Sequence, residues 1–430
     1  MIRSVPDLTL LFVIFFPQRF YKKTAAFVFK SVARHSSELA KAVVETPGAL
    51  DALVTCLSDF DPSVKEASAW ALGYIARHNA ELAQHVVDNG AIPHLVLCLQ
   101  EPELSLKRIA ASTLAEICKH TPELAQVVVD QGAVSYLSGL VQHPDVKVKR
   151  QVCGCLAQIA KHSVELAEIV VEADVVTKIL LCVSDPDPVV ARNAATCVRE
   201  ICKQCVELCQ LVVNAGGHTA LVQYTQQHVG AARLPGVMAL GFIAAFSETL
   251  SFAVIVEGGV AVLVRGVVEE EEDYMRAACC WALGQIGRHS AEHARAVCAH
   301  NGLQVLVDVV NRAHKGEGEG LNGDLYGKAL RAIKAVVEVC VEVGALEVVL
   351  GCADVKVNRY VARQLCKVLV NNAAARKAFV VSGGLQKLQM LREEDDKVAA
   401  DVDTIHQMYP QDIVQYYTPN YAQTLINKIE

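Results

Sequence analysis

The stretch Ala76-Arg77-His78-Asn79-Ala80-Glu81-Leu82-Ala83-Gln84-His85-Val86-Val87-Asp88-Asn89-Gly90 decides the fold, because it recurs. It returns as Lys119-His120-Thr121-Pro122-Glu123-Leu124-Ala125-Gln126-Val127-Val128-Val129-Asp130-Gln131-Gly132 and as Lys161-His162-Ser163-Val164-Glu165-Leu166-Ala167. A worn copy precedes them at Arg34-His35-Ser36-Ser37-Glu38-Leu39-Ala40. The histidine column runs His35, His78, His120, His162, Gln204, Phe246, His289, spaced by 42 or 43 residues throughout. Self-similarity at such a period is the signature of a solenoid, in which each unit buries its apolar face on its neighbours.

Within one period the local chemistry predicts three helices. Asn79, Thr121, Ser163 and Ser290 stand where side-chain oxygens can cap the free amides of a first turn. Pro122 then fits the first helical position and Glu81, Glu123 and Glu165 suit the positive end of the helix dipole. Gly48, Gly90, Gly132 and Gly216 mark a left-handed exit from this short helix. A second helix follows, as in Ile92 to Leu99. The pairs Asp61-Pro62, Glu101-Pro102, His143-Pro144 and Asp187-Pro188 separate it from a longer third helix. In that helix Val64, Ala67, Ala71, Leu72 and Ile75 form a buried stripe, with Lys65 and Glu66 outside it.

Composition agrees with closely packed helices: 52% of the 430 residues are hydrophobic and only 6% aromatic. The net charge of −7, with both signs dispersed, gives no basic footprint for nucleic acid. The 16 cysteines scatter through helical segments and several stand at buried columns, as expected of free thiols in a reducing compartment rather than of a disulfide framework. Leu8 to Phe16 is an apolar run far short of the roughly 20 residues a membrane helix requires, so no membrane is expected.

The segment Ala67-Ser68-Ala69-Trp70-Ala71-Leu72-Gly73-Tyr74-Ile75-Ala76 resembles the third helix of an armadillo repeat, as does Ala277 to Ile286 around Trp281. The expected fold is therefore all-α, a right-handed superhelical armadillo solenoid of about eight units with three helices each. The expected divisions are a non-repeat start at 1–17, a last-helix fragment at 18–34 and repeats over 35–311. A flexible Gly-rich insertion is expected at 312–324, degenerate repeats at 325–395 and an aromatic capping tail at 396–430. Armadillo proteins of the nuclear-import type place a tryptophan and, four residues later, an asparagine along the concave groove. Here the first column reads Trp70, Ser112, Gly154, Thr196, Met238, Trp281 and the second Tyr74, Glu116, Gln158, Glu200, Phe242, Gln285. With no asparagine left, import-type capture of a basic peptide is not expected. Trp70, Trp281 and the second column remain the candidate partner-binding residues, Tyr74 and Phe242 as aromatic anchors and Glu116 and Glu200 as acceptors.

The serial His-Ser/Thr-x-Glu-Leu-Ala helix starts, the run Trp281 to His289 and the tail Tyr409 to Tyr421 together resemble the armadillo proteins of the axonemal central apparatus. That resemblance implies a structural scaffold of motile cilia and flagella, in the cytoskeleton, with central-pair proteins and microtubules as partners. Self-association through the incomplete N-terminal end is a further expectation. The alternative is a soluble adaptor that holds linear peptides in its groove. No cofactor, metal or enzymatic activity is expected. Cys202, Cys205 and Cys209 have zinc-like spacing, but Cys205 and Cys209 fall in ordinary repeat columns and no fourth ligand lies nearby. Histidines one layer apart, on the order of 10 Å for packed helices, are too distant for direct proton transfer.

Overall fold

The computed structural model describes residues 19–314, 323–370, 372–394, 396–418 and Tyr421. The expected start at 1–17, most of the 312–324 insertion and most of the chain after Thr418 lie outside those residues. The described residues form helices and their connections, and the chain divides into two compact units, one ending at Ala220 and one beginning at Leu221.

The first unit opens with the helix Arg19–Ala33 and continues through four complete triplets. One triplet is Ala80–Asp88, Ala91–Cys98 and Leu104–Cys118, the next Pro122–Asp130, Ala133–Leu140 and Val146–Ala160. Each first helix begins where its cap dictates. Ser36, Asn79, Thr121 and Ser163 are extended and accept a bond from the amide of the third residue onward, at Leu39, Leu82, Leu124 and Leu166. Each first helix ends at a left-handed residue: Gly48, Gly90 and Gly132 have φ of 76°, 76° and 75°. The same column then holds Asp174 and, in the second unit, Asn301, the two non-glycine residues with positive φ among the described residues. Aspartate and asparagine tolerate this conformation better than other side chains, so the column tolerates the loss of glycine there. Pro62 and Pro188 start third helices behind the capping aspartates Asp61 and Asp187, whereas Pro102 and Pro144 lie in the turn just before theirs.

Third helices pack side by side in series, with Val64, Ala71, Leu72 and Ile75 of one and Leu106, Ile109, Ala110 and Leu114 of the next fully or almost fully buried. A backbone–side-chain bond from Thr113 Oγ1 to the Ala69 carbonyl, 2.9 Å, ties the two. At Gly73 an added Cβ would stand 2.6 Å from Thr113 Oγ1, so this approach needs glycine.

The second unit keeps the triplet but strains its detail. Its first third helix, Leu234–Phe246, is preceded by a short 3-10 turn, Gly230–Ala232. Arg233, 2% exposed, holds that turn: its guanidinium reaches Glu270 at 2.8 Å and the carbonyls of Thr225 and His228. Ser290 corrects the sequence reading. It is extended as a cap should be, but its hydroxyl bonds His293 Nδ1 at 2.9 Å and caps no amide. Gly302–His314 and Gly323–Val339 carry helix into both ends of the 312–324 segment.

The region assigned to a non-repeat tail begins with another helix, Asp396–His406, whose Val398, Val402 and Ile405 are buried beside the helix Val355–Val370. The helix Gln411–Tyr416 follows. Gln389 donates to the Val414 carbonyl at 2.8 Å, and Tyr409 to that of Arg376 at 3.2 Å. Among the described residues no single helix is long and apolar enough to cross a membrane. One pair, Glu248–Val256 and Gly259–Glu269, is sufficiently apolar together but bends by 74° between its halves.

Candidate functional site

The recurring histidines receive a clear assignment. His78 Nε2 donates to the carbonyl of Ala33 at 2.7 Å, His120 to Ala76 at 2.7 Å and His162 to Cys118 at 2.6 Å. Each acceptor is the last residue of the preceding third helix, where carbonyls lack an intrahelical partner. Gln204 donates to Ala160 at 2.9 Å, so the glutamine keeps the bond that the histidine made. In the second unit His289 reaches Ala244 at 2.6 Å, while Phe246 has no side-chain donor to offer. Burial pushes the His120, His162 and His289 imidazoles below their ordinary pKa, against the opposing pull of the carbonyl bond. The column is thus a row of donors, interrupted at Phe246, each bonding a carbonyl near the end of an earlier third helix.

The candidate partner residues lie on the third helices, in their last two turns. Trp70 and Tyr74 are half-buried and stacked, ring centroids 5.6 Å apart, and the Lys30 ammonium sits 4.6 Å from the Trp70 ring. With Arg77, Ser112 and Glu116 they line a cleft of about 120 Å³. Glu116 and Glu200 are not open acceptors. Glu116 is paired with Lys119, and Glu200, 7% exposed, with Arg199 and, at 3.9 Å, Lys203. Gln158 accepts from Lys161 at 2.8 Å, so the same column-to-column pairing recurs three residues apart on the rungs of Glu116, Gln158 and Glu200.

In the second unit Phe242 and Trp281 meet edge to face at 5.2 Å. Gly241 makes this contact feasible, since a Cβ there would stand 2.2 Å from the indole. Trp281 and Gln285 line a cleft of about 180 Å³ with Lys328 and Arg331. The structure therefore brings Trp70, Tyr74 and Glu116 to one cleft and Trp281 and Gln285 to another, with Gln158 and Glu200 on later third helices of the first unit. Sequence reading missed the cations. The signal was present in the column Arg34, Arg77, Lys119, Lys161, Lys203, one residue before the histidines.

Cys209 Sγ donates to the Cys202 carbonyl at 2.9 Å and Cys205 caps no amide. Among the described residues no group of three or more His, Cys, Asp or Glu is placed to hold a metal ion.

The model of the armadillo/beta-catenin-like repeat family matches three consecutive segments, residues 36–77, 79–119 and 121–161, which coincide with three of the triplets above. This chain thus carries armadillo repeats over residues 36–161. Its armadillo fold is shared with the crystal structure of an engineered protein, at a TM-score of 0.76 and 25% identity over 93% of this chain and 98% of that one. A designed armadillo repeat protein in complex with the peptide (KR)4 shares the fold at a TM-score of 0.52 and 24% identity, over 54% of this chain and 98% of that one. Among curated proteins, sperm-associated antigen 6 of Homo sapiens and that of Mus musculus are each 50% identical over 163 residues. That stretch is 38% of this armadillo chain and spans about a third, 31%, of either relative's length. The chain is thus an armadillo-repeat scaffold related over this stretch to sperm-associated antigen 6.

Proposed function

We propose that this chain is a non-enzymatic structural scaffold of the central-pair apparatus of motile cilia and flagella. The observation that carries the reading is the 50% identity to sperm-associated antigen 6 over 163 residues. In this reading each repeat adds one rung of surface, and axonemal proteins or microtubules dock at fixed spacing along the third helices. The half-buried columns at Trp70, Tyr74, Gln158, Phe242, Trp281 and Gln285 are the proposed docking residues, with Glu116 and Glu200 as paired charges beside them. In this reading the repeats over 35–311 and the degenerate repeats over 325–395 supply those rungs. The test is immuno-electron microscopy of flagella. Label on the central pair is the expected result, and label confined to outer doublets, cytosol or nuclei would sink the axonemal reading.

A second reading, a soluble adaptor that holds linear peptides, is favoured by the Trp70 and Trp281 clefts, each of which sets an aromatic ring beside a cation. It predicts a diffuse cytosolic pool that exchanges rapidly in photobleaching experiments, whereas a scaffold should exchange slowly.

A further inference from the structure

We propose that the third-helix face of the first unit binds an acidic, extended peptide segment of a partner protein. The inference rests on the reading of this face as protein-binding and adds the chemistry of its occupant.

The argument begins with the geometry of one third helix. Positions i, i+4, i+8 and i+11 fall within about 80° of one another at 100° per residue, so they share one face. On the second rung these are Glu66, Trp70, Tyr74 and Arg77, and the cleft formed by Trp70, Tyr74, Arg77, Ser112 and Glu116 shows that successive rungs contribute to one surface. The last position of the four is cationic on every rung: Arg34, Arg77, Lys119, Lys161 and Lys203. Its members are neighbours, since Lys161 Nζ donates to the Lys119 carbonyl at 2.6 Å. The first position is Lys23, Glu66, Arg108, Arg150 and Arg192. Adjacent rungs meet there too, where Asn193 Nδ2 donates to the Arg150 carbonyl at 2.8 Å. Across the five rungs the four positions hold nine cations against three carboxylates, Glu66, Glu116 and Glu200, an excess of six positive charges in a chain whose net charge is −7.

Internal pairing consumes only part of that excess. Glu116 and Glu200 are taken by Lys119 and Arg199, and Arg150 is paired with Asp187, which also caps the next third helix. Arg77, Arg108 and Arg192 form no ion pair with a described residue, and Arg77 and Arg192 are exposed. Two cationic rows thus flank a middle that holds Ser112, Gly154 and Thr196 on the third, fourth and fifth rungs, small residues that leave room for a main chain. Packed helices repeat every 8–10 Å, so an extended chain rising about 3.3 Å per residue passes one rung every three residues. It would meet a fresh cation at each step, and one on both sides at every rung except the second, where Glu66 stands opposite Arg77.

The same anionic chemistry could come from nucleic acid, and the face argues against it. Single-stranded nucleic acid is held by rows of stacking platforms as well as by charge. Here rings stand only on the first two rungs, at Phe27, Trp70 and Tyr74, and the acidic net charge of the chain opposes a long polyanion.

The experiment is fluorescence anisotropy of the full chain with a labelled Glu-Gly repeat peptide. A (Lys-Arg)4 peptide and a short thymidine oligonucleotide serve as comparison probes. The acidic peptide should bind, and weaken roughly tenfold as salt rises from about 50 mM to about 300 mM. The double variant R108E/R192E and, separately, Arg77→Glu should each lower its affinity by roughly tenfold or more. Lys41→Glu, on a first helix away from this face, should leave it unchanged, with circular dichroism melting curves confirming that every variant is folded. The proposal is overturned if the acidic peptide does not bind at low salt, or if the charge reversals leave its affinity unaltered. Equal or tighter binding of the (Lys-Arg)4 peptide or of the oligonucleotide would overturn it as well. None of these outcomes bears on central-pair labelling, so the scaffold reading and this one fail separately.

Discussion

The two compact units build the same triplet by different means. In the first, the joints at His78, His120 and His162 use the short-range chemistry of the repeat, namely an Asn, Ser or Thr cap, a left-handed exit and a donor that ties an earlier third helix, while the joint at Gln204 keeps the donor and lacks the cap, at Cys205. In the second, that chemistry has lapsed in places. Phe246 stands in the donor column, Ser290 caps nothing, and a 3-10 turn replaces the aspartate-proline break. What stands in for it is long-range: a buried arginine–glutamate pair and an edge-to-face aromatic contact over a glycine. Stability assembled from many small local terms degrades gradually with substitution, whereas stability concentrated in a few buried contacts fails at one site. The chain has two tryptophans, Trp70 in the first unit and Trp281 in the second, so each unit carries its own reporter.

The largest effect should come from Arg233 and Glu270. Replacing Glu270 with Gln removes the partner of a guanidinium that is 2% exposed, and an uncompensated buried charge costs about 3–5 kcal/mol. In a Trp70→Phe background, urea unfolding followed at Trp281 should shift its midpoint strongly. The same substitution followed at Trp70 in a Trp281→Phe background should shift it less. Equal shifts at both reporters would show that the units do not differ in the way described.

Gly241→Ala should come next. The new Cβ would lie 2.2 Å from the Trp281 ring, and such overpacking costs about 1–3 kcal/mol. The Trp281 emission maximum should move to the red as the ring is expelled. Unchanged emission would mean that the indole can relocate without exposure.

Much of this molecule was legible before its coordinates. The period, the triplet and the left-handed glycines follow from local rules that act within a few residues, so they survive in one sequence. The cap at Ser290 was misread because whether a hydroxyl bonds its own helix or a neighbouring imidazole depends on where His293 sits, which no local rule fixes. The helix Asp396–His406 was hidden because its histidine joint and glycine signals are gone, leaving only the spacing of Val398, Val402 and Ile405. At the candidate site, the aromatic columns were readable as departures from a known pattern. That Glu116 and Glu200 are already neutralised was not, since pairing depends on side-chain direction and not on column membership.

The donor column offers a smaller test. His120→Ala leaves the terminal carbonyl of Ala76 without its partner and should destabilise the first unit by about 1–2 kcal/mol, while His120→Gln should be close to neutral because Gln204 already makes that bond. The pH dependence has a definite sign. Burial holds His120 and His162 below their ordinary pKa, so between that depressed value and about 6.5 the unfolded chain binds more protons than the folded one. Their contribution is complete above pH of about 6.5 and is lost as pH falls through that window. Urea midpoints read at Trp70 should therefore decline from neutral to mildly acidic pH, and the double variant H120Q/H162Q should flatten the decline. A decline of the same slope in the variant would remove these histidines as its cause.

The smallest contrast compares the two caps. Ser163 accepts from the Leu166 amide at 3.3 Å, and its loss exposes an orphan donor in the first turn. Ser163→Ala should cost about 1 kcal/mol, within the usual range for a capping residue. Ser290 occupies the equivalent column with the same extended backbone but spends its hydroxyl on His293, leaving the first-turn amides to solvent already. Ser290→Ala removes no cap, and its cost of about 1 kcal/mol would come instead from the lost bond to the buried His293. A better discriminator is Ser290→Asp, which supplies a longer acceptor and a negative charge at the helix start. If the second unit lacks this cap for want of an available oxygen, the aspartate should raise the Trp281-reported midpoint, and the matching Ser163→Asp should change the first unit little. Stabilisation of the first unit instead would mean that its caps are no more complete than those of the second, and the distinction between local and long-range joints would fall with it.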